Sequence, residues 1–499
     1  MSAEPEEARE FARAFRQFLS WVHEEDVVGR AQAAVLLARN HLSAAQVDQP
    51  VLSRGLSVFE HVNVQVALEA WMAQGGRSVE VHGLTVPPGY DGVSLQELLH
   101  GAHLPPMTLS TPDLVDVPAG PRRTIACFRH VLLLVDDARG SYVVQLDVRF
   151  DEGVLRLEVA GLPTDEAKAV LNEVDELRAR LNIYRGQILE IGAGRRGMSI
   201  IFPELPETQR GDVVLPEAVL RRIERHTLEI GRHREALRAA GQHLKRGLLL
   251  YGPPGTGKTH TTRYVVQRLQ GTTVLMLSGR SLHHLGVATA MARELEPAAV
   301  VLEDVDLVAE DREYWPDANP VLFELLDAMD GAAGDADVLF LLTTNRADLL
   351  EPALAARPGR VDVAVEIGLP DADARRRLFE VYSRDLPLVL AAAELDEVVE
   401  RTHGVTASLI KELVRRATLE ALLERDGAVE SVTGEHVSAA LDDLLDAAQG
   451  VTRALLGVRE DGASEPPRSR ARSDRGHGHV EWMQSAYAGD FTVWTDEPS

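Results

Sequence analysis

Apolar residues in the C-terminal half of the chain fall into short runs separated by longer segments with helical periodicity. The runs are residues 248–250, 273–277, 299–302 and 338–342, and residues 361–367 alternate between apolar and polar positions. Short apolar runs are typical of strands buried on both faces, as in a parallel sheet covered by helices. The pattern therefore predicts an α/β fold in which a parallel sheet lies between layers of helices.

The residues after this sheet have the periodicity of an all-helical subdomain. Asp371 is a suitable N-cap for a helix over residues 375–382, because its carboxylate can accept a backbone N–H of the first turn. Residues 406–423 place apolar side chains three and four positions apart, and a last helix is predicted over residues 433–448. We expect these helices to form a lid over residues 370–447.

The N-terminal patterns are weaker. Residues 141–158 alternate like two strands around a turn, and a helix over 165–181 follows. Strands are predicted over 186–191 and 198–202, so an α+β region precedes the parallel sheet. The sequence thus predicts a mostly helical or mixed region (1–140), a small α+β unit (141–206), the α/β core (207–369), the helical lid (370–447) and a flexible tail (448–499).

Polar residues gather where two of the predicted strands end. The strand over 299–302 runs into residues 303–306 (Glu-Asp-Val-Asp), and the strand over 338–342 runs into residues 343–346 (Thr-Thr-Asn-Arg). In parallel sheets, ligands bind beyond the carboxyl ends of the strands. We therefore expect these side chains to face one common site.

A glycine-rich loop joins the strand over 248–250 to a predicted helix. Its sequence, Gly-Pro-Pro-Gly-Thr-Gly-Lys-Thr, has the G-x-x-x-x-G-K-T pattern of a phosphate-binding loop. Glycines let the backbone wrap phosphates with its N–H groups, Lys258 would reach the β- and γ-phosphates, and the Thr259 hydroxyl would bind Mg²⁺. The predicted ligands are ATP and Mg²⁺. The predicted nucleotide contacts are Gly252, Pro253, Pro254, Gly255, Thr256, Gly257, Lys258, Thr259 and His260.

Length, composition and charge indicate how many domains to expect, which compartment suits the protein and which partners are disfavoured. A chain of 499 residues exceeds what one hydrophobic core usually serves, so several domains are expected. The single cysteine, Cys127, rules out an intramolecular disulfide and suits a reducing compartment. An acidic N-terminus and the lack of a long apolar run predict no signal peptide and no membrane span. We expect a cytoplasmic protein, and the formal net charge of −25 argues against nucleic acid as its main partner.

The order of these motifs resembles that of the AAA ATPases, and more closely the subgroup with katanin, FtsH and the proteasomal ATPases. Residues 252–259 match the Walker A loop of that family, and residues 300–306 are similar to its Walker B strand. Residues 328–331, 343–346 and 351–360 look like its second region of homology. The resemblance implies a P-loop AAA core with a helical lid.

The resemblance covers roughly residues 213–447 and implies roles for single side chains. Asn345 matches the sensor-1 position, where an amide can orient the attacking water. Arg357 and Arg360 match arginine fingers, which in the family reach the nucleotide of a neighbouring subunit in a hexameric ring. The implied catalytic set is Lys258, Glu303, Asp304, Asn345, Arg357 and Arg360.

Residues 403–408 resemble the sensor-2 region of the family. They contain no arginine, as in the katanin-like subgroup. Ala407 and Ser408 are therefore expected to approach the nucleotide through their small size, with no charge involved.

One departure from the family concerns the acidic pair. The usual Walker B order is Asp then Glu, whereas here Glu303 precedes Asp304. A similar order occurs in the mitochondrial Rieske-protein translocase branch. The resemblance implies that Glu303, with Thr259, lies near Mg²⁺ and that Asp304 polarises water. Because Asp is one methylene shorter than Glu, geometry must compensate or hydrolysis is slow.

A second departure concerns the pore loop, where unfolding members carry an aromatic residue, a hydrophobic residue and glycine. The corresponding residues here are His284, Leu285 and Gly286. One interpretation is a pore that grips polypeptide weakly or selectively, because imidazole is more polar than Phe or Tyr and titrates near neutrality. The other is that His283 and His284 simply start a helix.

Two classes of function remain. The first is a ring ATPase that remodels, unfolds or disassembles a protein partner bound through the N-terminal region or the pore. The second is an ATP-gated scaffold or switch that hydrolyses slowly and controls the assembly of a complex. The inverted acidic pair and the histidine-containing loop favour the switch, whereas Asn345, Arg357 and Arg360 favour the motor. A nucleic-acid remodeller is disfavoured by the net charge.

Overall fold

Two sheets, each between layers of helices, organise the part of the chain that can be described. The computed structural model describes residues 28–85, 92–100, 108–194, 197–306, 336–346, 361–424 and 430–446. The predicted tail over 448–499 lies outside these residues.

The strands are β1 (Leu52–Ser57), β2 (Ser78–Thr85), β3 (Thr108–Ser110), β4 (Leu114–Gly120), β5 (Arg123–Phe128), β6 (His130–Asp137), β7 (Gly140–Arg149), β8 (Val154–Ala160), β9 (Ile188–Gly194), β10 (Gly197–Ile201), β11 (Arg246–Tyr251), β12 (Thr273–Ser278), β13 (Ala298–Glu303), β14 (Val338–Thr344), β15 (Val363–Glu366), β16 (Leu388–Val389) and β17 (Val432–Thr433).

The α-helices are α1 (Val28–His41), α2 (Ala44–Val47), α3 (His61–Met72), α4 (Leu95–His100), α5 (Thr164–Arg180), α6 (Glu217–Glu224), α7 (Ile230–Arg232), α8 (Arg234–Ala239), α9 (Lys258–Arg268), α10 (Leu285–Glu294), α11 (Ala372–Ser383), α12 (Ala392–Arg401), α13 (Ala407–Glu424) and α14 (Gly434–Leu445). Short 3₁₀ turns cover Val58–Glu60, Arg210–Asp212 and Gly279–His284, and Arg225–Glu229 is a π-helical turn. None of the described helices has the length and apolar character that a membrane span requires.

The N-terminal sheet is antiparallel, with the strand order β1-β8-β7-β6-β2-β3 among the described residues. Helices α3 and α5 cover one face, where Trp71 and Leu171 are buried with Val144. Helices α1 and α4 cover the other face, where Ala38 and Leu98 are buried. Because both faces are covered, the apolar residues of β6 are consecutive, and residues 142–148 of β7 are all buried although Gln145 and Asp147 among them are polar.

This sheet corrects the predicted boundary between residues 140 and 141. Strands β6 and β7 form a hairpin in which Asp137 pairs with Gly140, so the boundary falls inside the hairpin. Local alternation reveals that β7 is a strand, but it does not reveal which strand pairs with it. The first predicted region and the start of the second therefore belong to one sheet.

The second sheet has the order β10-β9-β12-β13-β14-β11-β15 in the described part of the chain. All of its pairings are parallel except the hairpin of β9 and β10, which confirms the predicted parallel sheet between helices. Helix α9 packs on one face, where Val265 contacts the cluster around Val301. Helix α10 packs on the other face, where Ala288 contacts the cluster around Val300.

Strands β9 and β10 belong to a different sheet from the one that the sequence predicted. The sequence assigned them to a small unit ending at residue 206, but β9 pairs in parallel with β12, where Leu189 lies opposite Leu275. Leu189 and Ile191 are buried in the core of the second sheet. That pairing joins segments more than eighty positions apart, so no local pattern reports it.

The regions around the two sheets share a hydrophobic cluster, which the N-terminal region reaches through α3 and the β4–β5 hairpin. Val62 of α3, Cys127 of β5 and Tyr184 are buried against Leu189 of β9 and Leu285 of α10. Beside this cluster, the Arg178 guanidinium lies 2.9 Å from Glu60 and 3.2 Å from Glu294. The N-terminal sheet is thus connected to the second sheet and to α10 through α3, α5 and the β4–β5 hairpin.

The helices after β15 form their own core. Phe379, Leu413 and Leu441 are buried together, and β16 pairs with β17 beside them. Asp371 caps α11 as predicted, because its carboxylate accepts the N–H of Ala374 at 2.8 Å. These helices follow the second sheet as a helical subdomain.

Candidate nucleotide-binding site

The loop between β11 and α9 has a backbone that only glycine can adopt at two positions. Gly252 has φ = +148°, and a Cβ there would lie 2.1 Å from the carbonyl oxygen of Ile367. Gly255 has φ = +77°, and a Cβ there would lie 2.9 Å from the Ser408 hydroxyl. Any side chain would clash or strain the backbone, so these glycines fix the path of the loop.

Lys258 is the first residue of α9 and is only 5% exposed. Its ammonium donates to the carbonyl oxygens of Gly252 at 2.8 Å and Pro253 at 2.9 Å. Burial lowers the pKa of Lys258, and the carboxylates of Asp304 and Asp306 oppose that shift. The cation is therefore held at the mouth of the loop, facing these two carboxylates.

Glu303 is the last residue of β13, which is separated from β11 by β14, and Asp304 follows it. Burial raises the pKa of the Glu303 carboxyl, and Asp304 adds to the rise. Burial also raises the pKa of Asp304, with a further rise from Asp306 that Lys258 opposes. Of the two predicted carboxylates, Asp304 is thus the one that interacts with the lysine of the loop.

Asp306 organises the sensor-1 region. One of its carboxylate oxygens accepts the Thr344 hydroxyl and the Asn345 backbone N–H, both at 3.0 Å. The other accepts the Asn345 side-chain amide at 3.3 Å. Asp306 is 4% exposed, so it fixes the Asn345 amide from inside the protein. Sequence reasoning did not give Asp306 this role, because the partner lies on another strand.

The residues predicted to hold Mg²⁺ suit that ion. Oε1 of Glu303 is buried and has no hydrogen-bond partner among the described residues. Glu303, Asp304 and Asp306 carry three formal negative charges, which Lys258 and, beside Glu303, Arg263 only partly offset among the described residues. No cage of three His, Cys, Asp or Glu side chains exists within the described residues. Mg²⁺ keeps several waters and is usually bound by one or two protein groups plus phosphates. A cage of protein ligands is therefore not needed to bind it.

A cavity of about 890 Å³ lies beside the loop. Thr256, Gly257 and His260 form one wall, and residues 212–219 and Ile367 form others. This volume is typical of small-ligand sites. Residues 212–219 were not predicted to line the site because they carry no recognisable motif; their place at the start of the resembling region was the signal that could have indicated them.

Two contacts connect the loop to surrounding segments. The His260 imidazole Nε2 lies 3.1 Å from the carbonyl oxygen of Asp212, whose carboxylate accepts Arg384 at 2.6 Å. From the lid, the Ser408 backbone N–H donates to the Gly255 carbonyl at 3.0 Å. Ala407 lines the cavity. The segment that resembles sensor 2 therefore lies against the phosphate-binding loop.

The predicted pore residues have a different environment. Gly279–His284 is a 3₁₀ turn, and α10 begins at Leu285 with His284 as its N-cap. Leu285 is 1% exposed and belongs to the cluster shared by the two sheets, so it cannot contact a polypeptide in a pore. The burial of Leu285 contradicts the prediction that it grips polypeptide in a pore. His283 and His284 end the 3₁₀ turn and precede α10. Arg357 and Arg360 lie outside the described residues.

A glycine loop between a parallel strand and a helix, with a buried lysine facing acidic strand ends, defines the P-loop class of nucleotide-binding proteins. Residues 248–369 match the family described as "ATPase family associated with various cellular activities (AAA)". The chain therefore contains a domain of the AAA ATPase family, as its motifs indicated.

Similarity to two curated relatives supports that assignment. The chain is 34% identical over 223 residues to the ATP-dependent zinc metalloprotease FtsH 2 of Sphaerobacter thermophilus, covering 42% of this chain and 33% of that one. It is 32% identical over 212 residues to the Cell division cycle protein 48 homolog of Archaeoglobus fulgidus, covering 40% and 29%. The match thus spans about a third of the length of these relatives. The solved FIGL-1 AAA domain in complex with ADP matches at 18% identity and a TM-score of 0.39, covering 49% of this chain and 89% of that one.

Proposed function

We propose that this protein is a Mg²⁺-dependent ATP hydrolase that works as a hexameric ring and remodels, unfolds or disassembles a protein partner. The observation that carries the proposal is the convergence of Lys258, Asp304 and the Asp306–Asn345 pair at a loop whose Thr256 and Gly257 also line a cavity of about 890 Å³. A motif-bearing loop alone would bind phosphate. The carboxylates opposite the lysine supply what hydrolysis needs in addition.

Each group has a chemical task in this proposal. Lys258 exchanges the Gly252 and Pro253 carbonyls for phosphate oxygens and stabilises their charge. Thr259 and Glu303 hold Mg²⁺, which when bound neutralises charge on the β- and γ-phosphates. Asp304 polarises the attacking water, and Asn345, held by Asp306, orients it.

The ring and the arginines form a separate part of the proposal. A guanidinium from a neighbouring subunit stabilises charge on the transferred phosphoryl group, an effect worth about 10³–10⁵ in rate in other nucleotide hydrolases. If Arg357 and Arg360 act in this way, an isolated subunit is nearly inactive. The specific ATPase activity should then rise with protein concentration as rings form.

Mixing two inactive variants tests that arrangement. Arg357→Ala keeps the loop and lacks the arginine, whereas Lys258→Ala keeps the arginine and lacks the loop. Mixed rings should regain part of the wild-type turnover, since some sites combine an intact loop with an intact neighbour. Turnover that is independent of concentration, with no complementation, would contradict the ring and leave a monomeric or dimeric ATPase.

The slow-hydrolysing scaffold is the second candidate, and the burial of Leu285 favours it. Because this residue packs in the core and Gly279–His284 is a turn, the segment offers no hydrophobic grip at the predicted place. A motor should unfold a bound partner during turnover, whereas a switch should change its assembly state on ATP binding alone. Light scattering of Asp304→Asn protein with and without ATP, together with partner capture by that variant, separates the two.

The setting of the protein follows the same proposal. We place it in the cytoplasm, with a protein partner bound through the N-terminal region or the pore, and the net charge of −25 argues against nucleic acid as its main partner. A filter-binding assay with single- and double-stranded nucleic acid at physiological salt checks the last point. Tight, salt-dependent binding would contradict it.

A further inference from the structure

The chain leaves β13 through a residue with unusual backbone geometry. Asp304 has φ = +52°, in the left-handed region, although it is not glycine. Aspartate visits this region more readily than most residues, but the conformation persists only where surrounding contacts hold it. The group that holds Asp304 therefore also decides where its carboxylate points.

Thr343 supplies those contacts. The backbone N–H of Asp304 donates to the Thr343 hydroxyl at 3.0 Å. The next N–H, that of Val305, donates to the Thr343 carbonyl oxygen at 3.0 Å. Thr343 is fully buried and pairs with Leu250 of β11, so its own position is fixed by the sheet.

We propose that Thr343 is a positioning residue for ATP hydrolysis, whose hydroxyl holds Asp304 in the left-handed conformation and thereby aims its short carboxylate at the γ-phosphate. This inference rests on the proposed function, because it requires Asp304 to activate water. A carboxylate one methylene shorter than that of glutamate has less freedom to correct its aim by side-chain rotation. The backbone must therefore be set more closely, and Thr343 sets it.

The adjacent threonine has a different task, which makes the assignment specific. The Thr344 hydroxyl donates to Asp306, whereas the Thr343 hydroxyl accepts from the backbone of Asp304. Thr343→Val removes the acceptor at nearly constant shape. Thr343→Ser keeps it and loses a methyl group.

The first experiment compares these variants with a matched control. Thr289→Val makes the same change at a hydroxyl that is 3% exposed and donates to the Leu285 carbonyl at 2.9 Å in α10, away from the site. We expect Thr343→Val to lower kcat about tenfold to a hundredfold, as a misaimed reactive group does, with unchanged affinity for ATP. Thr343→Ser should keep most of the turnover. Wild-type turnover in Thr343→Val would overturn the proposal.

A double-mutant cycle separates positioning from general support of the fold. In Asp304→Glu protein, the longer side chain can reach water from a relaxed backbone, so the loss caused by Thr343→Val should be smaller than in the wild type. An equal loss in both backgrounds would assign Thr343 to fold support alone and overturn the inference.

A measurement without turnover keeps the inference separate from the proposed function. If wild-type protein fails to hydrolyse ATP, the proposed function fails, and hydrogen exchange at the Asp304 amide still tests the contact. Exchange at that amide should be slow in the wild type and Thr343→Ser and faster in Thr343→Val, with Thr289→Val as control. Equal protection in Thr343→Val would show that the hydroxyl does not hold the residue.

Discussion

Two clusters of buried charge in this molecule differ in their balance. In the N-terminal sheet, Arg77 and Arg139 face Asp137 and Glu173, with Arg77 2.9 Å from Glu173 and Arg139 2.8 Å from Asp137. In the nucleotide site, Lys258 faces Asp304 and Asp306, Arg263 acts on Glu303, and Oε1 of Glu303 has no hydrogen-bond partner among the described residues. In the first cluster two arginines balance two carboxylates, and each carboxylate is paired. The second cluster has an excess of negative charge.

This difference in charge balance distinguishes a cluster that stabilises the fold, in the N-terminal sheet, from one that can bind a cationic ligand, in the nucleotide site. Although burial alone would raise it, hydrogen bonds from the Arg139 N–H and the Tyr142 hydroxyl hold the pKa of Asp137 below its usual value. In the nucleotide site, burial raises the pKa of Glu303 and of Asp304, because their partners in the protein are insufficient. A divalent cation would restore the balance there.

The largest expected effect comes from removing the buried lysine of the second cluster. Lys258→Ala should abolish ATP turnover and the stabilisation of the protein by ATP, because no ammonium then faces the phosphates. At about 100 times the dissociation constant, wild-type protein should gain about 2.7 kcal/mol of apparent stability. Thermal unfolding with and without ATP measures this. Lys411→Ala, at an exposed position in α13, is the control. An unchanged ATP-induced shift in Lys258→Ala would remove Lys258 from the site.

The carboxylates of that cluster should be separable. Asp304→Asn should bind ATP but lose about 10²–10⁴ in turnover, because an amide cannot polarise water as a carboxylate does. Glu303→Gln should mainly raise the Mg²⁺ concentration needed for half-maximal activity. Steady-state ATPase assays over a Mg²⁺ titration distinguish them. If Asp304→Asn turns over normally, the base is another carboxylate, with Glu303 or Asp306 as the candidate.

The balanced cluster should respond through stability instead. Arg77 is 6% exposed at its side chain, and its removal leaves Asp137 and Glu173 with less positive charge inside the protein. Arg77→Ala should therefore cost about 3–5 kcal/mol of unfolding free energy. The folded fraction should retain wild-type ATP affinity. Arg415→Ala, at an exposed position, is the control for denaturant unfolding. A loss of ATP affinity without a loss of stability would contradict the distinction.

The smallest effects on ATP turnover are expected at the predicted pore residues. Leu285→Ala should destabilise the protein by about 2–5 kcal/mol, because it opens a cavity in the cluster shared by the two sheets. His284→Ala should change stability by no more than about 0.5 kcal/mol. Neither should alter ATP turnover of folded protein at saturating ATP. A selective loss of partner unfolding in His284→Ala would restore the pore hypothesis for the histidine.

The sequence predicts those features whose signal is local. The glycine pattern before Lys258 and the apolar runs of the parallel strands are readable without any partner, and the parallel sheet was confirmed. The pairing of β9 with β12 and the contact of Asp306 with Asn345 join distant segments, so no local pattern encodes them. Likewise, the motif comparison placed Leu285 in a pore. Its burial depends on contacts with distant residues such as those of the N-terminal region, which no local motif reports.

The shared hydrophobic cluster has a consequence for how the chain can be divided. A fragment starting at residue 207 would contain every motif of the ATPase core, yet it would lack β9 and expose the edge of β12 together with Leu277 and Leu285. An unprotected apolar edge strand invites pairing between molecules. Such a fragment should aggregate on expression, whereas one starting before β1 should remain monodisperse. In this protein the segment before residue 207 therefore completes the sheet and the core of the ATPase half.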